Sequence, residues 1–337
     1  MINQRLIAGV FVWLSVVLVV ACTRPAGRLN IDISEVPEVH LDYSDYATAL
    51  FSLDTTRIVD ELKKIQPEFG VFLNREITGR ADVLPVVNFL SDTSIRSAWK
   101  AYNEGFPPQK ELVTEIEDVF RHVRYYFPEA PLPHVYFYIS GFDYLNRIVL
   151  TDEYLLVAVD LYLGPEFSQY RYLGLPVYMI DRFNDLYLIR DVAYEVASQL
   201  AGAETAKSNL LRSAIEMGKR LWLCRAFYPE MDLGRLLYYT DEQVEWAMKN
   251  EGLVWAFLIE NDLLYSTSML DIRKFTGEGP FTSWFGKESP PRLGWFIGYR
   301  MIEKLMEENP SITVDELLSL DAASVLRLSG YKPKLIR

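Results

Sequence analysis

Histidine is nearly absent from this chain. Its 337 residues include three, His40, His122 and His134, and no two of them stand at metal-ligand spacing. Cysteine is as scarce, with only Cys22 and Cys224. A zinc site of the usual His/Cys kind therefore cannot be written from local sequence. Nor can a cysteine nucleophile, because no histidine lies near Cys224 in LWLCRAF. Positive charge is in deficit, with 34 Lys and Arg against 46 Asp and Glu and a net charge of −12. An acidic chain repels phosphate backbones, which argues against nucleic acid as a partner. The chain also lacks GxxxxGK[ST], GxSxG and a strand-linked GxGxxG, and GEGPF has no phosphate-binding context.

No apolar run reaches the roughly 20 residues that a membrane-spanning helix needs. The longest, Leu6 to Ala21, has 16 residues and follows Arg5. A short apolar run behind a cation, ending in small residues, reads as a secretory signal. Its end, VVAC, has the form of a bacterial lipobox. On that reading residues 1–21 are a signal peptide and Cys22 carries lipid. Residues 22–40 then form a tether, and several acyl chains give a stable membrane anchor. With Cys22 committed to lipid, Cys224 has no disulfide partner and reads as a small core residue. No Asp follows Cys22 in CTRPAGR. By analogy with lipoprotein sorting signals, that points to the outer membrane, facing the periplasm.

Half of the residues are apolar and 14% are aromatic, enough to bury a sizeable core. TTRIVDELKKI places Ile58, Leu62 and Ile65 on one helical face. ELVTEIEDVFRHVRYYF carries the stripe Leu112, Ile116, Val119, Val123 and Tyr126. HVYFYIS alternates as a strand does, and RIVLTDEYLLVAVDLYLG reads as two strands about a Thr-Asp-Glu turn. A long aromatic loop follows, PEFSQYRYLGLPVYMIDRF. After residue 183 the pattern is helical almost to the end. Asn184 or Asp185 is placed to cap a helix, and Thr240 with Gln243 and Thr313 with Glu316 form capping boxes. The expected fold is α+β and helix-dominant, with a small antiparallel sheet followed by a helical bundle, and residues 41–337 forming a single domain.

One helix carries a pattern worth weighing. RDVAY, Arg190 to Tyr194, has the spacing of the HExxH motif of zinc peptidases, but both histidines are missing. Arg190 and Tyr194 share a helical face. Arginine has no lone pair to give a cation, and tyrosine ligates only as phenolate. The plain reading is a helix with one polar face and Val192, Ala193, Val196 and Ala197 toward the core. Other groups admit chemistry and plainer readings alike. Asp160, Glu216, Glu245, Glu251 and Glu260 could supply paired carboxylates for glycoside hydrolysis, or lie on solvated faces. Tyr162, Tyr170, Tyr172, Tyr178, Trp246 and Trp255 could line a groove for peptide or glycan, with Asp160, Tyr162 and Tyr178 as its first candidates, or pack core and loop.

LVAVDLYLG, LPVY, IEMGKRLW, YYTDEQVEWAMKNE, LLYST and GWFIGYRMIEKLMEENP, taken together with the lipobox, resemble the gliding-motility lipoprotein GldB family. The likeness runs over roughly residues 22–330. The family is in turn similar to predicted gluzincin-like zinc peptidases, in which an edge strand precedes the HExxH helix and a Glu on the next helix completes the metal site. The resemblance implies a zincin-like scaffold. It implies that Arg190, Asp191, Tyr194 and Glu216 stand at degenerate metal-site positions. It also implies an envelope lipoprotein without hydrolytic activity or cofactor, bound to an envelope protein partner, with Arg190 placed to pair with Glu216. An enzyme with unusual ligands, either a peptidase or a carboxylate-based glycan hydrolase, is the alternative.

Overall fold

A computed structural model describes Leu29, residues 31–202 and residues 209–335. Residues 1–21, expected to be a signal peptide, and Cys22 lie outside the described residues. Strand β1 (Tyr43–Asp45) leads into α1 (Tyr46–Phe51), α2 (Ile58–Ile65), α3 (Arg80–Ser91), α4 (Thr93–Gly105) and α5 (Gln109–Tyr126). Then come β2 (His134–Tyr138), β3 (Ile148–Leu150) and β4 (Tyr154–Ala158). The aromatic segment that follows holds a 3-10 turn at Ser168–Leu173 and the one-turn helix α6 (Val177–Ile180). The rest is helical: α7 (Leu188–Ala201), α8 (Leu210–Phe227), α9 (Leu233–Leu237), α10 (Asp241–Glu260), α11 (Met269–Thr276), α12 (Leu293–Glu308), α13 (Val314–Ser319) and α14 (Ala322–Ser329).

The class is α+β with helix dominant, as expected, but the sheet is mixed rather than antiparallel. Its order is β1-β2-β4-β3. β1 and β4 both run parallel to β2, and only β3 is antiparallel, to β4. The sequence reading found the β3–β4 hairpin and took it as the pattern of the whole sheet. It missed that the chain returns from β2 through the 139–147 loop, which sets β2 and β4 in the same direction. The antiparallel edge strand is β3, so the strand that leads toward α7 is an inner one.

Period-2 alternation divides the sheet between two apolar clusters. Val135, Phe137, Leu155 and Val157 are fully buried in the main core with α5, α7 and α8. Tyr136 and Tyr138 face the other way, onto a smaller cluster built from α1, α2 and α3. The α5 stripe is seated as its spacing predicts, with Leu112, Ile116, Val119 and Val123 buried. The second half of the segment expected as a tether is docked on the fold. Arg121 on α5 donates to the carbonyls of Ile33 and Val36, at 2.9 and 3.1 Å, and Val39 is buried.

Below the sheet, α8 and α12 cross at glycine. A Cβ on Gly298 would fall on the carbonyl oxygen of Ala214, and one on Gly218 would fall on the backbone of Gly298. Only glycine lets the two backbones come this close. The contact fixes α12 against α8 and so fixes Arg292, at the head of α12, relative to α7.

Candidate functional site

The site forms where α7, α9 and the head of α12 meet. Asn184 caps the turn before α7 by accepting from the Leu186 N–H at 3.0 Å, which sets where the helix starts. Arg190 and Asp191 fall in its first turn and are buried, at 2% and 6% exposure. The apolar face of α7, with Val192, Ala193, Val196 and Ala197, packs into the core as expected. At the start of its polar face, Arg190 and Asp191 meet other protein rather than solvent.

Asp191 is the hub. One oxygen forms an ion pair with Arg147 Nη2 at 3.1 Å and accepts from the Tyr162 hydroxyl at 2.9 Å. The other accepts from Arg190 Nη1 at 3.2 Å and from the Tyr238 hydroxyl in a short bond. Two guanidiniums and two phenols thus surround one buried carboxylate, which compensates the cost of burying charge. Arg190 also donates through Nε and Nη2 to the carbonyl of Leu236, at 3.2 and 2.8 Å. Arg292 Nη2 donates to the next carbonyl, Leu237, at 2.7 Å. These are the open carbonyls at the end of α9, where cations are favoured.

Tyr238 follows directly, with φ 55° and ψ 44°, in the left-handed region. Arg292 is there too, at φ 53°. Neither is glycine, so each position carries strain that the surrounding contacts must hold. The Tyr238 ring lies among the guanidiniums of Arg190, Arg182, Arg292 and Arg147, at 4.1, 4.8, 5.4 and 5.9 Å from its centre.

Beside this network opens a cavity of about 250 Å³. All four arginines reach it, with the carboxylates of Asp191, Glu195 and Glu278. Its apolar wall comes from Tyr144, Leu145, Ile148 and Trp295. Burial, joined by the neighbouring charge of Asp191, pushes the Glu195 carboxyl up. Glu278 goes the other way: burial opposes its ionisation, but Arg292 and Arg182 outweigh it and hold the carboxyl below its ordinary value. Burial, and then the charge of Arg182, lowers Arg292 to about 10.

Of the four positions that the resemblance marks as a degenerate metal site, three come together and one does not. Arg190, Asp191 and Tyr194 line the cavity. Glu216 lies elsewhere, bound at 3.0 Å by the buried Lys219, whose ammonium also donates to the carbonyls of Leu318 and Leu320. The expected pairing of Arg190 with Glu216 is thereby corrected. Asp191, next to Arg190 in sequence, is its partner, and Glu216 is drawn to Lys219 one turn along α8. The residues present do not fit a zinc ion. Arg190 has no lone pair to offer, and Asp191 spends both oxygens on donors. The Tyr194 phenol, pushed up by burial, donates to Met217 Sδ at 3.2 Å. Among the described residues, no group of three His, Cys, Asp or Glu is placed to hold a metal.

A family model described as "Gliding motility protein GldB" matches residues 26–333. The chain belongs to the GldB family. No curated protein and no solved structure matches it. Membership covers nearly the whole chain, so the Asp191 network and its cavity lie within the GldB match.

The remaining candidates of this GldB-family chain sit apart from the cavity. Asp160 is fully buried and clasps the 140–142 loop, accepting from the backbone N–H groups of Ser140 and Phe142 at 2.8 and 2.7 Å. Tyr162 is 1% exposed and serves Asp191 from below. Tyr178 is half-buried on α6 with Arg182 over its ring at 5.7 Å. The first two belong to the core, so these three do not form a cleft wall. Tyr170 is likewise core, its hydroxyl donating to the Asp160 carbonyl at 2.8 Å. The candidate acid pairs do not converge: Glu245 and Glu260 point to solvent, and Glu251 binds Arg300 at 3.1 Å. Cys224 is buried, with its thiol pushed up to about 12 by burial. No helix among the described residues is long and apolar enough to cross a membrane.

Sequence reasoning missed Arg147, Arg182, Tyr238, Glu278 and Arg292. They come from five separate segments, and no local spacing links them. The one visible trace was Glu278 between two glycines in GEGPF.

Proposed function

We propose that this chain is a lipid-anchored, non-catalytic component of the envelope machinery behind gliding motility. Cys22 carries the lipid, and the folded part faces the periplasm on a scaffold related to zinc peptidases. Membership of the GldB family supports the link to motility. The observation that carries the non-catalytic reading is the state of Asp191. It stands where a peptidase would keep its general base, yet both of its oxygens are engaged by Arg147, Arg190, Tyr162 and Tyr238. A base must keep a lone pair free for the proton it takes. The cavity is then a place that binds, and the envelope partner is a protein or peptide.

The test is made in the parent organism. Replacing Cys22 with Ala should abolish both palmitate labelling and surface spreading. Glu195→Gln, at a carboxyl that lines the cavity, should leave spreading intact. Loss of spreading in Glu195→Gln with normal protein levels would overturn the non-catalytic reading. Normal labelling of Cys22→Ala would overturn the anchor.

A further inference from the structure

The cavity beside Asp191 has a charge imbalance. Four guanidiniums face three carboxylates, and one of the three, Glu195, is biased toward its neutral form by burial. Asp191 is committed to Arg147 and Arg190 and sealed into the wall. Glu278 also has two guanidinium partners but differs from it in place and exposure. It sits on the turn between α11 and α12, its side chain is 44% exposed, and two ion pairs hold it. Its oxygens accept from Arg182 Nη1 at 2.8 Å and Arg292 Nη1 at 3.2 Å. Arg292 is 2% exposed, and its Nε–H has no partner. What ties Arg292 to the opening is its Nη1, which meets the partly exposed Glu278.

We infer that the Arg182–Arg292 pair is a binding site for a ligand that ends in a carboxylate beside an apolar group, and that Glu278 occupies it until the ligand arrives. The chemistry is matched inside the molecule itself. Asp191 bridges one guanidinium pair and Glu278 bridges a second, and planar guanidinium forks suit planar carboxylates. Glu278 can leave without exposing any core, since its side chain is already partly in water. Leu145, 78% exposed, and Trp295, stacked on Arg292 at 4.5 Å, offer apolar surface at the same opening. A space of about 250 Å³ is below the range of drug-sized pockets, so it admits a single residue-sized group rather than a length of chain. The terminal residue of a peptide and a free small carboxylic acid share this chemistry.

The inference rests on the binding reading of the cavity. It is tested by calorimetric titration of the full mature chain in a non-ionic detergent. The probes are acetyl-Ala-Ala-Leu, its C-terminal amide, N-acetyl-leucine and inorganic phosphate. Both free carboxylates should bind, and each should bind at least tenfold more tightly to Glu278→Gln, which frees the arginine pair. Arg182→Gln should weaken them at least tenfold, with unchanged near-ultraviolet circular dichroism confirming the fold of each variant. The tripeptide binding more tightly than N-acetyl-leucine identifies a peptide end, and equal affinity identifies a free acid. Three results would overturn the inference: no heat from either carboxylate with the wild-type chain and Glu278→Gln alike, equal binding of the amide, or equal binding of phosphate. Mass spectrometry of the recovered tripeptide separates the two readings. Cleavage would sink the non-catalytic function, whereas an intact peptide that gives no heat would sink only this inference.

Discussion

Two clusters in this molecule use the same three ingredients, arginine, tyrosine and carboxylate, to different ends. In the first, Arg147, Arg182, Arg190 and Arg292 gather about Tyr238, with Asp191 and Glu278 between them. In the second, Arg225 and Arg300 meet Glu251 and Glu303 between α8, α10 and α12, with Tyr299 and Tyr331 donating to the two glutamates at 2.7 Å each. Each cluster leaves one guanidinium nitrogen without a partner, Nε of Arg292 and of Arg225, so that feature alone does not distinguish them. Charge and backbone do. The second cluster is balanced, two against two, and its four charged residues all lie within helices. The first carries a surplus of arginine and holds Tyr238 and Arg292 in left-handed backbone. A balanced network on relaxed backbone is what packing needs. Both clusters border a cavity, so it is the surplus of one charge on strained backbone that supports the first as the proposed binding place.

The largest expected effect comes from removing the hubs. Asp191→Ala leaves Arg147 and Arg190 buried without their anion and should cost about 3–5 kcal/mol. Glu303→Ala takes the anion from Arg225, 27% exposed where water can take over, and leaves Arg300 its pair with Glu251, and should cost about 1–3 kcal/mol. Chemical denaturation of the pair measures the gap, and equal losses would break the comparison. Next comes the contact that positions α12, the helix both clusters share. Gly298→Ala forces α12 away from Ala214 and should cost about 1–3 kcal/mol or more. Its thermal midpoint should fall, and because Arg292 moves with the helix, the cavity should be disturbed as well.

Tyrosine hydroxyls sharpen the contrast at a smaller scale. The Tyr238 hydroxyl donates to Asp191 and accepts from Arg147 and Arg190, at 2.9 Å each, whereas that of Tyr331 makes one bond, to Glu251. Tyr238→Phe should therefore cost more than Tyr331→Phe, about 1–3 against about 1 kcal/mol by urea unfolding. The smallest effect is in pH. Glu278 has a lowered folded pKa, so its contribution to stability is full above the unfolded carboxyl value, about 4.3. It is lost as pH falls through the folded value. Glu278→Gln should remove this contribution, lowering stability modestly at neutral pH, leaving it unchanged below the folded value, and so flattening this part of the acid limb.

What could be read from sequence follows from where the information sits. Periodicity and caps are local, and they located α5, α7, the β3–β4 hairpin and both capping boxes. The parallel pairings β1–β2 and β2–β4 depend on the path of a loop, which no spacing records. Within the site, RDVAY was visible as a departure from HExxH, and three of its residues do line the cavity. Its partners were not visible: Arg147 lies 44 residues before Asp191 and Tyr238 lies 47 after it. The apolar residues of α7 could be assigned to the core from hydrophobicity alone. Arg190 and Asp191 could not, because a charge is buried only when its partner is known, and the partner is a fact of tertiary structure.

On the proposed reading, guanidinium chemistry occupies the place a metal centre would hold. Plasma mass spectrometry on the purified chain from residue 23, expressed with zinc in the medium, decides the matter. Zinc should stay far below one ion per chain, with no change in Glu216→Ala or Tyr194→Phe. Zinc near one ion per chain, lost in either variant, would contradict this reading.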